Sequence, residues 1–114
     1  MVGSESGHVW LSVPDVAERL GISASRVRRL VEDRALIGRR IDGVFSIPEA
    51  VLPGGEPLAH LAGTVTLLLD GGFTEDSALE WLISHDEQLK ATPVEALAAG
   101  RKSEVRRVAQ ALAI

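Results

Sequence analysis

Two short runs near the start of the chain alternate apolar and polar residues with the period of an α-helix. The apolar positions recur three and four residues apart, and they are Val16, Ala17 and Leu20 in the first run and Val27, Leu30 and Val31 in the second. Residues at these spacings share one face of a helix. Each run therefore predicts a short amphipathic helix whose apolar face packs on a core.

The residues around these runs favour a sharp turn between two helices. Pro14 and Asp15 suit the first turn of a helix, because that turn needs no proline N–H and its positive end attracts a carboxylate. Gly21 can take the left-handed conformation that ends a helix, and Ser23 can cap the next one. Two short helices joined by a three-residue turn that contains glycine form the helix-turn-helix pattern.

A β-hairpin is predicted directly after the second helix. Asp42-Gly43 is typical of a two-residue hairpin turn, and apolar residues flank it on both sides. Pro48 ends the second strand, and a short helix can follow as far as Leu52. The next stretch, "PGGEP" over residues 53–57, has the composition of a linker.

The rest of the chain is predicted to be helical. One helix is expected over roughly residues 59–69, a second is capped by Thr74, and a third begins with a capping box over residues 92–95 and ends at Gly100. The last helix is expected to bury Val105, Val108, Ala109 and Leu112, and to build a core together with Trp81.

These elements predict a mainly α fold with a small β-hairpin wing. A winged helix-turn-helix is followed by a C-terminal helical bundle. The expected organisation is a flexible tail over residues 1–9, a winged helix-turn-helix domain over residues 10–53 and a C-terminal helical domain over residues 54–114.

Charge is distributed unevenly along this pattern. The chain holds 12 Lys plus Arg and 16 Asp plus Glu, a formal net charge of −4, yet six arginines lie within residues 21–40. Several of them lie opposite the apolar stripe of the second helix, where side chains of this motif enter a major groove. Arg39 and Arg40 lie at the base of the hairpin, where a wing meets the phosphate backbone. The predicted contacts with double-stranded DNA are Ser23, Ser25, Arg26, Arg28, Arg29, Arg39, Arg40 and Gly43.

The alternative for this segment is a plain solvated surface, in which Glu32 or Asp33 pairs with the arginines. A second basic patch, formed by Arg101, Lys102, Arg106 and Arg107, is either a solvated helix face or an auxiliary phosphate contact.

The stretch from Val13 to Ala50 resembles the MerR-type winged helix-turn-helix and its excisionase-like relatives. Gly21, Ile22 and Ser23, followed by Val27-Arg28, carry the likeness, which implies that Arg28 is aimed at DNA. The chain departs from that family at Arg29 and Leu30, where aromatic residues are usual, and it lacks the long dimerising helix after the wing. The whole chain is similar to a small family of actinobacterial DNA-binding regulators whose helical C-terminal domain has no known function.

The sequence gives little support for a metal site or for catalysis. The three histidines lack the spacing of metal ligands, there are no cysteines, and no nucleophile–base arrangement is visible. We expect no cofactor, no metal, no membrane span and no enzymatic activity, in a cytoplasmic protein. The predicted function is DNA binding in transcriptional regulation. The alternative is a protein-interaction module, antitoxin-like or self-associating, whose C-terminal helices bind a protein partner.

Overall fold

The computed structural model of the chain describes residues 3–5 and 7–112. The chain divides into two compact units, Met1–Pro57 and Leu58–Ile114. Among the described residues, no helix is both long and apolar enough to cross a membrane.

The first unit contains an antiparallel sheet and two helices. The described strands pair in the order β1-β2-β4-β3. Leu11 lies opposite Ile47 where β2 pairs with β4, and Arg40 lies opposite Phe45 where β3 pairs with β4. The strands are β1 (Gly3–Glu5), β2 (His8–Ser12), β3 (Arg39–Ile41) and β4 (Val44–Pro48), and the helices are α1 (Val13–Leu20) and α2 (Ala24–Glu32).

The predicted winged helix-turn-helix is therefore confirmed, with β3 and β4 as the wing. Val16 of α1 and Val27 of α2 are buried together with residues of the sheet. After β4 the chain continues through two short 3₁₀ segments, Glu49–Val51 and Pro53–Gly55. Val51 is buried, so the first of these segments is part of the core of the unit.

The expected flexible tail over residues 1–9 includes residues 1, 2 and 6, which lie outside the described residues, while much of its described part lies in strands. Gly3–Glu5 and His8–Ser12 are strands of the sheet. Trp10 and Leu11 are neighbours in the sequence and each is only 1% exposed, so β2 buries both of its faces. A strand that is buried on both faces shows no alternation of apolar and polar residues, which removes the usual sequence signal.

The second unit is helical. Its helices are α3 (Leu61–Asp70), α4 (Glu75–Leu82), α5 (Pro93–Ala98) and α6 (Lys102–Leu112). The Thr74 side chain accepts a hydrogen bond from the backbone N–H of Ser77. At α5 the predicted capping box is present, because Thr92 Oγ1 accepts from Glu95 N at 3.1 Å and Glu95 Oε1 accepts from Thr92 N at 2.8 Å.

Two core predictions for this unit were wrong. Trp81 is only half-buried, and its indole Nε1 donates to Asp86 Oδ2 at 3.3 Å. Leu112 is 42% exposed, since it lies at the end of α6 beyond the packed turns. The predicted burial of Val105, Val108 and Ala109 is confirmed. The other fully buried side chains come mainly from leucines of α3, α4 and the loop before α5, and include Leu61, Leu68, Leu79, Leu82 and Leu89.

Candidate nucleic-acid interface

Local hydrogen bonds fix both ends of α1. Ser12 Oγ accepts from Asp15 N at 3.3 Å, and Asp15 Oδ2 accepts from Ser12 N at 3.3 Å, which closes a capping box. At the other end Gly21 has φ of 69°, and its N–H donates to Glu18 O at 3.3 Å. Glycine adopts this left-handed conformation without a steric cost, so the chain turns sharply towards α2.

The start of α2 is held by Ser23. Its Oγ accepts from Arg26 N at 3.2 Å and lies 3.2 Å from Ser25 Oγ. The helix then turns Val27 fully into the core. The predicted contact residues on the other side of α2 are all exposed, and they are Ser25, Arg26, Arg28 and Arg29.

The arginines of α2 have no partner within the part of the chain that the structure describes. Over residues 3–5 and 7–112, the guanidinium groups of Arg26, Arg28 and Arg29 make no hydrogen bond or ion pair, and pairs with Glu32 or Asp33 do not form. At about 100° per residue, Arg26 and Arg28 lie about 160° apart around the helix, with Arg29 between them. The charges therefore spread over a wide solvent-facing arc.

The wing turns at Asp42 and Gly43. Their φ values are 51° and 82°, as a two-residue type I′ turn requires, and this confirms the predicted hairpin. Arg40 Nη1 donates to Gly43 O at 2.9 Å, so the guanidinium of Arg40 is held beside the turn. Val44, directly after the turn, is 44% exposed.

Arg39 and Arg40 have different surroundings, although a contact with the phosphate backbone was predicted for both. Side chains of adjacent strand residues point to opposite faces of a sheet. Arg40 is exposed, whereas Arg39 is half-buried and its guanidinium carbon lies 5.5 Å from the centroid of the Trp10 ring. This geometry is a cation–π contact, so Arg39 packs on the body of the unit.

Gly38 is a site residue that the sequence pattern did not reveal. A Cβ at this position would lie 2.3 Å from the backbone oxygen of Ser46 and 2.9 Å from the Phe45 ring. Real Cβ atoms do not approach this closely, so only glycine lets the chain enter β3 against β4. The position of the wing, and of the arginines it carries, depends on this contact.

Arg28 of α2 and Arg40 of β3 line the same concavity, which has a volume of about 500 Å³. Its walls bring together the start of α1, one side of α2 and the wing. Two guanidinium groups and the carboxylate of Glu32 leave the lining with net positive charge. The remaining lining residues are small or apolar and comprise Ser12, Val13, Pro14, Val31, Val44 and Phe45.

Arg19 belongs to a different environment. Its Nη1 lies 2.6 Å from Glu49 Oε2, which joins the last turn of α1 to the 3₁₀ segment after the wing. An arginine that is already paired offers less charge to a nucleic acid than the unpaired arginines of α2. Its role in this structure is to connect two elements of the first unit.

Comparisons with known proteins match both parts of the chain. Residues 5–52 match the family described as the DNA-binding protein Rv2175c, wHTH domain, and residues 58–113 match the Rv2175c C-terminal domain of unknown function. The DNA-binding protein Rv2175c of Mycobacterium tuberculosis (strain ATCC 25618 / H37Rv) is 33% identical over 114 aligned positions, which cover 89% of this chain and 78% of that protein. The NMR structure of Rv2175c is similar with a TM-score of 0.85 and 31% identity, covering 97% of this chain and 85% of that chain.

Proposed function

Because the chain belongs to the family of the DNA-binding protein Rv2175c, we propose that it binds double-stranded DNA and regulates transcription. In this proposal α2 enters the major groove and the wing contacts the phosphate backbone. We propose a binding function and no catalytic one, since the matched relative is named for DNA binding.

The observation that carries the proposal is the shared concavity of Arg28 and Arg40. Arginine can fork onto guanine O6 and N7 or onto phosphate oxygens. A duplex whose groove receives α2 would bring its backbone towards the wing, where Arg40 is held beside Gly43 O. The unpaired guanidinium groups of α2 and the exposed Arg40 can therefore contact the same DNA duplex at the same time.

The predicted contact residues take different roles in this proposal. Arg28 supplies the main contact with base edges, with Arg26 and Arg29 as neighbouring contacts. Ser23 and Ser25, near the N-terminus of α2, contact phosphate, where free backbone N–H groups favour an anion. Arg40 contacts phosphate from the wing, while Arg39 and Gly43 contribute mainly by holding the wing in place.

The finer assignment to the MerR-type, excisionase-like group is also part of the proposal. It is supported by Gly21-Ile22-Ser23 ahead of Val27-Arg28 and by the two-residue turn of the wing. The alternative function, protein binding through the C-terminal helices, has less support. Leu112 is the exposed large apolar side chain of that unit within its described residues, and one side chain makes a small contact surface.

The salt dependence of binding to duplex DNA tests the proposal. Each neutralised phosphate contributes about −0.9 to the slope of log K against log salt, so three to five contacts give a slope of roughly −3 to −5. Fluorescence anisotropy with a labelled random duplex measures this slope, and selection from a random pool then gives the preferred sequence. A slope near zero, or no binding at low salt, would contradict DNA binding.

Chemical-shift mapping with the same duplex tests which surface is used. Shifts are expected to gather in residues 23–47. The acidic residues Glu75, Asp76 and Glu80 of α4 are repelled by phosphate within a Debye length of about 8 Å at physiological salt. Equally strong shifts across α4 would show that the interface has been assigned to the wrong part of the chain.

A further inference from the structure

A second positively charged cavity lies in the C-terminal unit, and the proposed DNA interface does not use it. It has a volume of about 270 Å³ and lies between α3 and α6. None of its lining residues belongs to α1, α2 or the wing, and none is a carboxylate. The lining consists of His60, Gly63, Thr64, Leu67, Lys102, Ser103 and Arg106.

Lys102 and Arg106 occupy positions at which their charges destabilise an isolated helix. They are four residues apart, so they share one face of α6, and like charges at this spacing repel each other. Lys102 is the first residue of α6, where the helix dipole is positive and cations are destabilising. Neither side chain forms an ion pair within the described residues. An anion in the cavity would offset both unfavourable placements.

His60, the residue before α3, and Gly63 within α3 add to this lining at a local conformational cost. His60 has φ of 67°, which is unusual for a residue with a side chain. Thr64 Oγ1 donates to His60 O at 3.0 Å, which ties this strained residue to α3. Gly63 weakens the helix, yet a Cβ on it would meet nothing within 4 Å of the protein. Packing within the chain therefore does not require glycine here, and a side chain at position 63 would take up space at the cavity.

We propose that this cavity binds a phosphate group. Lysine offers three N–H donors and arginine five, and Ser103 adds a hydroxyl. The first backbone N–H groups of α6 have no acceptor within the helix and are available to an anion. The volume lies just below the range of about 300–1,000 Å³ for small-molecule pockets, so it fits a phosphate head group. That phosphate can belong to a free phosphorylated molecule or to a DNA backbone.

Titration of the full chain with inorganic phosphate tests the proposal. The backbone amide signals of Gly63, Thr64 and Ser103 are expected to shift and to saturate. A parallel titration with sodium chloride at equal ionic strength measures the effect of screening alone. If these amides show no saturable shift beyond the chloride control, the cavity is not a phosphate site.

Three variants distinguish phosphate binding in the cavity from a general effect of surface charge. The double change Lys102→Gln with Arg106→Gln is expected to weaken phosphate binding at least about tenfold, because hydrogen bonds to charged groups are the strong ones. The matched control is Arg107→Gln, an exposed cation of α6 outside the lining. Gly63→Ala should raise the stability of α3 while weakening phosphate binding. Equal loss in Arg107→Gln, or unaltered affinity in the other two variants, would overturn the assignment.

The same double variant distinguishes the two sources of phosphate. If the cavity serves a DNA backbone, the salt slope of duplex binding becomes shallower by roughly two units, one for each lost contact. If it serves a free phosphorylated molecule, the slope stays at its original value while phosphate binding is lost. This comparison rests on the proposed DNA binding, whereas the titration with inorganic phosphate does not, so failure of the cavity and failure of the DNA interface are distinguishable.

Discussion

Arg28 of α2 and Arg40 of β3 line one concavity although they belong to different elements of the first unit. The sequence pattern assigns Arg28 to a recognition helix and Arg40 to a wing, and the fold brings them to the same surface. Arg40 is also fixed by its 2.9 Å hydrogen bond to Gly43 O. A guanidinium that is already held in place loses less conformational entropy when it binds a ligand.

The change Arg28→Ala is expected to weaken binding to a preferred DNA sequence by about 1–3 kcal/mol, the cost of one lost bidentate base contact. The thermal midpoint should stay nearly constant, because Arg28 is exposed and has no partner within the described residues. Anisotropy and thermal unfolding measure the two quantities, with Arg107→Ala as the matched control. Unaltered affinity in separate Ala variants of Arg26, Arg28 and Arg29 would refute the assignment of α2.

The two wing arginines should respond differently to substitution. Arg40→Gln is expected to make the salt slope shallower by about one unit and to weaken good and poor sequences alike, as loss of a phosphate contact does. Arg39→Gln should mainly lower stability, by about 0.5–2 kcal/mol, because it removes the cation–π contact with Trp10. An altered sequence preference in Arg40→Gln would instead indicate contact with bases.

The features that could be predicted from sequence are those that neighbouring residues determine. Ser23 caps α2, Asp42-Gly43 makes the hairpin turn, and Thr92 with Glu95 closes the capping box. Each depends on residues within a few positions of one another, so the local sequence contains the whole signal. The charged face of α2 follows in the same way from the position of Val27.

Contacts between distant segments could not be predicted in this way. The pairing of β2 with β4 places Trp10 and Leu11 in the sheet, and it depends on residues far apart in the chain. The separation of Arg39 from Arg40 requires knowing that Trp10 lies beneath the wing. The sequence also contains no sign that Gly38 is pressed against the backbone of Ser46, since glycine before a strand has many uses.

The change Gly38→Ala is expected to destabilise the first unit by about 1–3 kcal/mol, the usual cost of overpacking. The added Cβ would meet a backbone oxygen of β4, which cannot move without breaking the sheet. Urea unfolding followed residue by residue by NMR measures the loss and shows that it falls on the first unit. Gly63→Ala is the matched control, since its Cβ meets open space and should stabilise α3 by about 0.5–1 kcal/mol. Equal stability of the two variants would contradict the close approach.

The C-terminal unit should lose stability in acid through Glu104. Arg101 Nε lies 2.6 Å from Glu104 Oε2, and Arg101 Nη2 donates to Leu89 O at 2.9 Å, which ties the start of α6 to the loop before α5. The hydrogen bond from Arg101 holds the pKa of Glu104 below its ordinary value of 4.5. A carboxyl group whose pKa is lower in the folded state stabilises the fold above the unfolded pKa. That contribution disappears as the pH falls through the folded pKa.

Stability of the C-terminal unit is therefore expected to decline as the pH falls below about 4.5, and Glu104→Gln should remove the part of this decline that belongs to the ion pair. The variant should be less stable than the parent at pH 7. The two stabilities should become similar in acid, because protonation of Glu104 removes the same interaction from the parent. Urea unfolding monitored at α6 between pH 7 and pH 3 measures both. Glu87→Gln is the control, since its carboxylate is highly exposed and its contacts with His85 and Lys90 are at the surface. If Glu104→Gln kept the full acid dependence of the parent, the bond between Arg101 and Glu104 would not contribute to folding, and the acid dependence would have to come from other carboxylates of the unit.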